Sequence, residues 1–500
     1  MVRAAYHHLE SRYPTRVPFD PPPGFPELVE LLAPEHSDSE NIVYGAVREV
    51  FRELELDAGN FATARWNPLR ELVREGQHVV IKPNLVTHQH HQGAEGLTWS
   101  LTHPSVIRAI ADYSLIAVGP RGQVTIADVP IENCDFDALC EATGLRRMVD
   151  CLRDRGHTNI ALLDLRTYQT TAFPDGSSER VELSGDPRGY TDVDLGEASF
   201  FHELESRAGP QNYYTLGDHT VDHFDPRTRQ RGLPNLYHSP GKHVYHVANT
   251  ILDADLVVSA AKLKTHKFSG VTLCLKNAIG ISHGKEYLPH RRPGPPEEGG
   301  DSFPQYPSRR FVWRVQAKRK LFSLIGGRRI AALRKLVRRY IPAPPPHLVR
   351  SEPLFGNWSG NDTIWRTTLD LNMVLNGADR HGQVHPSPQR RYLAIIDGVI
   401  GMDHEAPMEG LPVRTGLVIA ARDAAAADAL GASLMGFDWQ CIPTIERCSS
   451  VPALALGDPR VATPAARGNV PLESAQTQFV PAKGWEVLGD PRSPRPSQDG

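Results

Sequence analysis

No two cysteines of this chain stand in a C-x-x-C arrangement, although it holds six: Cys134, Cys140, Cys151, Cys274, Cys441 and Cys448. That absence argues against an iron–sulfur or zinc-ribbon framework and fits reduced thiols in a cytosol. Long apolar runs are missing as well. No stretch approaches the ~18 residues of a membrane span, and the opening "MVRAAYHHLESRYPTRVPFD" lacks the apolar core of a signal peptide. Charge of one sign is missing in bulk, since the formal net charge is −3 over 500 residues. No global field therefore favours nucleic acid or membrane, and any cationic site must be local. No G-x-G-x-x-G follows a strand pattern, and neither H-E-x-x-H nor G-x-S-x-G occurs. Rossmann-type dinucleotide binding, zincin and serine-hydrolase chemistry thus lack their mechanical parts. "GISHGKE", from Gly280 to Glu286, is one residue short of a P-loop between its glycines and has Glu286 where a hydroxyl should hold magnesium. The expectation is a soluble, cytoplasmic protein with no iron–sulfur cluster.

What is present reads as α/β. Short β-rich apolar runs alternate with helical stretches: His78–Ile81, Val124–Ala127, Ile160–Leu163, Leu256–Ser259, Leu393–Ile396 and Leu417–Ala420. Three of them are apolar throughout, as strands covered on both faces must be. We expect a mainly parallel sheet covered by helices, with a basic helical insertion. The boundaries read as an N-terminal arm at 1–37, a first part of the core at 38–285, a Pro-flanked insertion at 286–360, a second part of the core at 361–462 and a loosely ordered tail at 463–500. Within the insertion, Ser308 to Tyr340 carries twelve Lys/Arg and no acidic residue. Residues 309–340 could dock on an anionic membrane surface or mediate self-association, with about 1 kcal/mol from each basic residue near such a surface.

Polar residues follow the apolar runs at once, where α/β sheets bind ligands. The densest case is "AAKLKTHKFSGVTLCLKNAIG", from Ala260 to Gly280, with four lysines and a histidine. In an extended chain Lys262, Lys264 and His266 share a face. Three cations there repel unless an anion or carboxylates sit among them. The structural alternative is salt bridges to the aspartates that end neighbouring strands.

Taken in order, "IKPNLV", "THPSVIRAI", "ADVP", "ADLVVSAAKLKTHKFSGVTLCLKNAIG", "IIDGVIGMDHEAP" and "ARDAAAADALGASLMGFD" resemble the DUF362 family, a domain of unknown function. "LPHRRPG" and "GNWSGNDTIWRTTLDLN" resemble its longer branch. Two positions depart from the family pattern: His404-Glu405-Ala406-Pro407 replaces Gly-x-Gly-Pro, and Ala424 replaces a proline. The resemblance implies the architecture and supplies no reaction.

The functional expectation is an enzyme acting on a small carboxylate or phosphate. Lys82, Lys262, Lys264 and Lys276 would clamp and polarise it, because fixed cations stabilise developing negative charge. The catalytic candidates are Lys264, Lys276, His266 and His103, the histidines as proton-transfer groups. Asn84, Asn277 and Asn361 would add hydrogen bonds. Asp397, Asp423 and Asp128 would hold Mg²⁺. The alternatives are a transition-metal enzyme using His219 and His223, and a non-enzymatic binding or assembly protein docking through its basic insertion.

Overall fold

The computed structural model describes residues 2–29, 31, 36–172, 178–205, 237–292, 294–305, 356–450, 456–461 and 465–489. All six apolar runs are strands of one mixed, mostly parallel sheet. Its strands are β1 (Ala4–His8), β2 (His78–Pro83), β3 (Gln123–Asp128), β4 (Ile160–Asp164), β10 (Leu256–His266), β11 (Gly270–Thr272), β12 (Arg391–Asp403), β13 (Leu411–Val413), β14 (Leu417–Ala421) and β15 (Arg467–Gly468). Between β4 and β10 lie the hairpin β5 (Tyr168–Ala172) with β6 (Ser178–Glu182) and a small sheet of β7 (Tyr190–Asp194), β8 (His238–Ser239) and β9 (Lys242–Ala248). The main order is β15-β1-β14-β12-β10-β2-β3-β4, with β11 on β10 and β13 on β12. Strands β12, β10, β2, β3 and β4 run parallel, so their carboxyl ends share one edge.

The pairing of β10 with β12 joins text from either side of the insertion, in register from Leu256 opposite Arg391 to Lys262 opposite Asp397. β2, β10, β12 and β14 are buried on both faces, as their unbroken apolar text requires. One face is covered by α1 (Ile42–Glu53), α3 (Pro104–Val118), α4 (Phe136–Thr143) and α5 (Leu145–Asp154), the other by α7 (Ile364–Gly377) and α8 (Ala424–Leu434). Two shorter helices matter below: α2 (Gly93–Ser100) and α6 (Cys274–Asn277). Local chemistry sets the helix starts. Pro104 sits in the first turn of α3 behind the cap His103, and Asp423 caps α8 by accepting from Ala426 N at 2.7 Å.

Two boundaries differ from expectation. The N-terminal arm is not wholly an arm, because Ala4–His8 pairs antiparallel with β14. The tail is not loose over residues 465–489. β15 pairs with β1, Phe479, Ala482, Trp485 and Leu488 are buried, and Trp485 Nε1 donates to Lys267 O at 2.9 Å. Both segments find their partners hundreds of residues away in sequence, and short strands without an apolar run leave no periodic mark. The basic stretch 309–340, with His219 and His223, lies outside the described residues. No helix among the described residues is long and apolar enough to cross a membrane.

Candidate functional site

The lysine-rich text is the continuation of β10 itself. The strand stays buried through Thr265, so Lys262 and Lys264 enter the protein rather than solvent. Beyond Lys262 the register to β12 shifts, with Lys264 opposite Met402. Lys262 Nζ donates to Asp397 Oδ2 at 3.0 Å, Tyr13 OH at 2.7 Å and Thr98 O at 3.2 Å. Asp397 also accepts from Tyr13 OH at 2.5 Å and from His103 N at 2.8 Å. His103 stacks on Tyr13 with ring centres 4.0 Å apart and turns Nδ1 to Ser105. Burial, then the Lys262 charge, holds the His103 imidazole neutral, well below its ordinary pKa. Burial likewise lowers Lys262, while Asp397 opposes that shift.

Two strands along the same edge a second pair repeats the pattern. Lys82 Nζ donates to Asp128 Oδ1 at 2.7 Å, Pro83 O at 2.8 Å and Asn277 Oδ1 at 3.0 Å. Asp128 also accepts from Leu85 N and Val129 N. Gly280 lies against this pair, where a Cβ would stand 2.5 Å from Lys82 Nζ and closer still to Asp128 Oδ1. Asn277 connects the edge, accepting also from Asn84 Nδ2 at 3.3 Å while its own amide donates to Lys82 O and Ser259 Oγ.

The third lysine has no carboxylate partner among the described residues. Lys264 Nζ donates to Asn84 Oδ1 and Ser100 O, each at 2.7 Å, and burial together with the charges of Lys262 and Lys276 drives its pKa well down. Among the described residues, Lys276, half-buried on α6, and Lys285, half-buried in the turn Lys285–Tyr287, have neither a hydrogen-bond acceptor nor an ion-pair partner. Burial, then Lys285, then Lys82, lowers the Lys276 amine from 10.5 to about 7. His266 and His290 face the same group. After burial, the largest charge lowering either imidazole is Lys276, and His290 falls to about 3. Of the residues expected from sequence, Lys82, Lys262, Lys264, Lys276, Asn84, Asn277, His266, His103, Asp397 and Asp128 are thus brought to one edge. Tyr13, Lys285 and His290 belong there too and were not foreseen. Lys285 stands inside the failed P-loop match, and its position between Gly284 and the strand ends was the available signal.

The expected metal set does not assemble. Asp423 follows β14, which is antiparallel to β12, so it emerges at the opposite edge and serves as the helix cap, its pKa raised by burial to about 6. Asp397 and Asp128 end strands three spacings apart, roughly 14 Å. Each is committed to a lysine and to backbone N–H groups, so one Mg²⁺, with oxygens at about 2.1 Å, cannot bridge them. Among the described residues no three His, Cys, Asp or Glu groups converge to hold a metal. Asn361 is also structural. Its amide donates to His290 O and Gly356 O, and its oxygen accepts from Thr363 N and Ile364 N at the start of α7. A cavity of about 420 Å³ lined by Tyr6, Glu53 and residues 466–468 and 470–472 lies at the β1–β15 side of the sheet, away from the lysines.

Residues 215–433 match the family model DUF362, Domain of unknown function (DUF362). Over that segment the chain is similar to the DUF362 family. No curated protein and no solved structure matches the chain. The DUF362 match takes in Lys262, Lys264, Lys276, Lys285 and Asp397 but begins after Lys82, Asn84 and Asp128. The edge described above is therefore built jointly by the DUF362 segment and by the first β-α-β text of the chain.

Proposed function

We propose that this edge binds a small anionic substrate, a carboxylate or phosphate, and that the protein is an enzyme acting on it. The observation that carries the reading is a mismatch of charge. Five lysines gather at the strand ends, and among the described residues only two of them, Lys82 and Lys262, have a carboxylate in ion-pair contact. Fully buried ammonium groups without a counter-charge are costly, and such groups lose their protons or recruit an anion. Lys276 and Lys285 retain some exposure, so an anion can reach them from solvent. Lys264 is deeper and acts through Asn84, which it orients. In this reading Lys285 holds the charge of the ligand, Lys276 faces its reacting part, and His266 and His290 stay neutral to accept or relay a proton. Asp128, Asp397 and Asp423 do not converge, so in this reading the ligand's charge is met by lysines.

The test is calorimetric titration of the full chain with inorganic phosphate and with pyruvate at low and physiological salt. Binding should weaken with salt and be lost in Lys285→Met, while Lys242→Met, on the exposed start of β9, binds as the wild type does. Equal affinities for both variants would sink the reading.

A further inference from the structure

Lys276 is held more firmly than an unpartnered surface lysine would be. The N–H groups of Cys274 and Leu275 donate to Asp428 Oδ1 at 2.7 Å and Oδ2 at 2.9 Å, fixing the start of α6. On the other side Asn277 is fixed by Lys82, Asn84 and Ser259. The backbone on both sides is pinned, yet among the described residues the amine between these anchors has no acceptor. The charged or titratable groups around it are Lys82, Lys264, Lys285, His266 and His290. Asp128 is taken by Lys82, and Asp428 by backbone N–H groups. An amine in such company is disposed to be neutral, and burial with the Lys285 and Lys82 charges brings its pKa to about 7. Neutral primary amines attack carbonyl carbon, and desolvated lysines beside another cation are the activated form of that nucleophile.

Resting on the anion reading above, we infer that Lys276 forms an imine with a substrate that carries both an anionic group and an aldehyde or ketone. The acid or phosphate end is held by Lys285 and the carbonyl is presented to Lys276. In the step, the Nζ lone pair forms the N–C bond as the C=O π pair moves to oxygen. One proton passes from nitrogen to that oxygen, giving a carbinolamine. The C–O bond then breaks with its pair, a second nitrogen-bound proton goes to the departing oxygen, and water leaves as C=N forms. The sum is amine plus carbonyl giving imine plus water, with no other reactant. His266 and His290, both kept neutral, are the groups placed to shuttle the protons.

The experiment uses the full chain with sodium cyanoborohydride and two probes, pyruvate for a carboxylate and pyridoxal 5′-phosphate for a phosphate, followed by peptide mass mapping. The expected result is a reduced adduct on Lys276 at near-neutral pH, with the exposed Lys242 and Lys483 unmodified. Inorganic phosphate should suppress it, and Lys276→Arg should remove it while retaining the melting temperature. The probe that labels tells carboxylate from phosphate. If phosphate or pyruvate binds by calorimetry but Lys276 takes no adduct, or takes no more than Lys242, the imine is overturned and the anion site stands. Absence of both binding and adduct overturns both.

Discussion

Two kinds of lysine share one sheet edge. Lys82 and Lys262 each lie against a carboxylate from a neighbouring strand, with ammonium-to-oxygen distances of 2.7 and 3.0 Å. Lys276 and Lys285, a short way along the chain from β10, have none among the described residues. The first kind emerges from strands that are covered on both faces, where an unpaired charge is least tolerable, so the fold itself supplies the counter-ion. The second kind stands on short helical turns at the rim, where a ligand can supply it. Lys264 lies between them, as deep as the first kind and as free of carboxylates as the second. The difference separates charge that holds the sheet together from charge left for a partner.

The comparison is broken most severely at a paired lysine. Asp397→Asn leaves Lys262 buried without its counter-ion, and loss of one partner of such a pair costs about 3–5 kcal/mol. Urea denaturation should show that loss, and adding Lys262→Met to the same chain should recover part of it. A single variant as stable as the parent would mean that Tyr13 OH and Thr98 O suffice for Lys262. Next in size is Gly280→Ala. Its Cβ would press on Asp128 Oδ1 and Lys82 Nζ, and overpacking of this kind costs about 1–3 kcal/mol. An unchanged melting temperature there would show that the Lys82–Asp128 pair moves aside freely.

How much of this was legible beforehand follows the same division. The apolar runs announced β2, β3, β4, β10, β12 and β14 because strands buried on both faces need continuous apolar text. β1 and β15 were not announced, since five and two residues without an apolar pattern take their register from β14 and from each other. Lys262 and Lys264 were legible as residues sharing a face. Their opposite fates were not, because that depends on Asp397 arriving in register beside Lys262 alone. Asp423 misled for a related reason. It follows an apolar strand as Asp397 does, but strand direction, which sends it to the far edge, leaves no trace in composition. Lys285 and Tyr13 were passed over because one sat in a rejected motif and the other in apparent arm text.

Lys264→Met comes third and sharpens the intermediate case. The change removes a buried ammonium with no carboxylate, which favours the variant. It also strips Asn84 Oδ1 and Ser100 O of a donor, and an unsatisfied buried acceptor costs about 1–3 kcal/mol. A modest net loss of stability is expected, and phosphate titration should show weakened binding because Asn84 is no longer oriented. Normal binding in a chain that melts far lower would make Lys264 a structural lysine of the first kind.

The last effect has the opposite sign. Lys276 falls from 10.5 unfolded to about 7 in the fold, so between those values the unfolded chain binds more protons. Stability of the parent therefore rises with pH across that window, and below about pH 7 the full cost of holding the ammonium is present. Lys276→Met should accordingly be more stable than the parent at pH 6, with the advantage shrinking as pH approaches 10.5. Inorganic phosphate should erase the difference at pH 6, because an anion bound to the charged amine removes its cost in the parent only. Thermal melts of both chains with and without phosphate measure all four states. A variant less stable than its parent at pH 6 without phosphate would put Lys276 among the lysines that hold the sheet, and the division between the two kinds would fail at the residue on which it most depends.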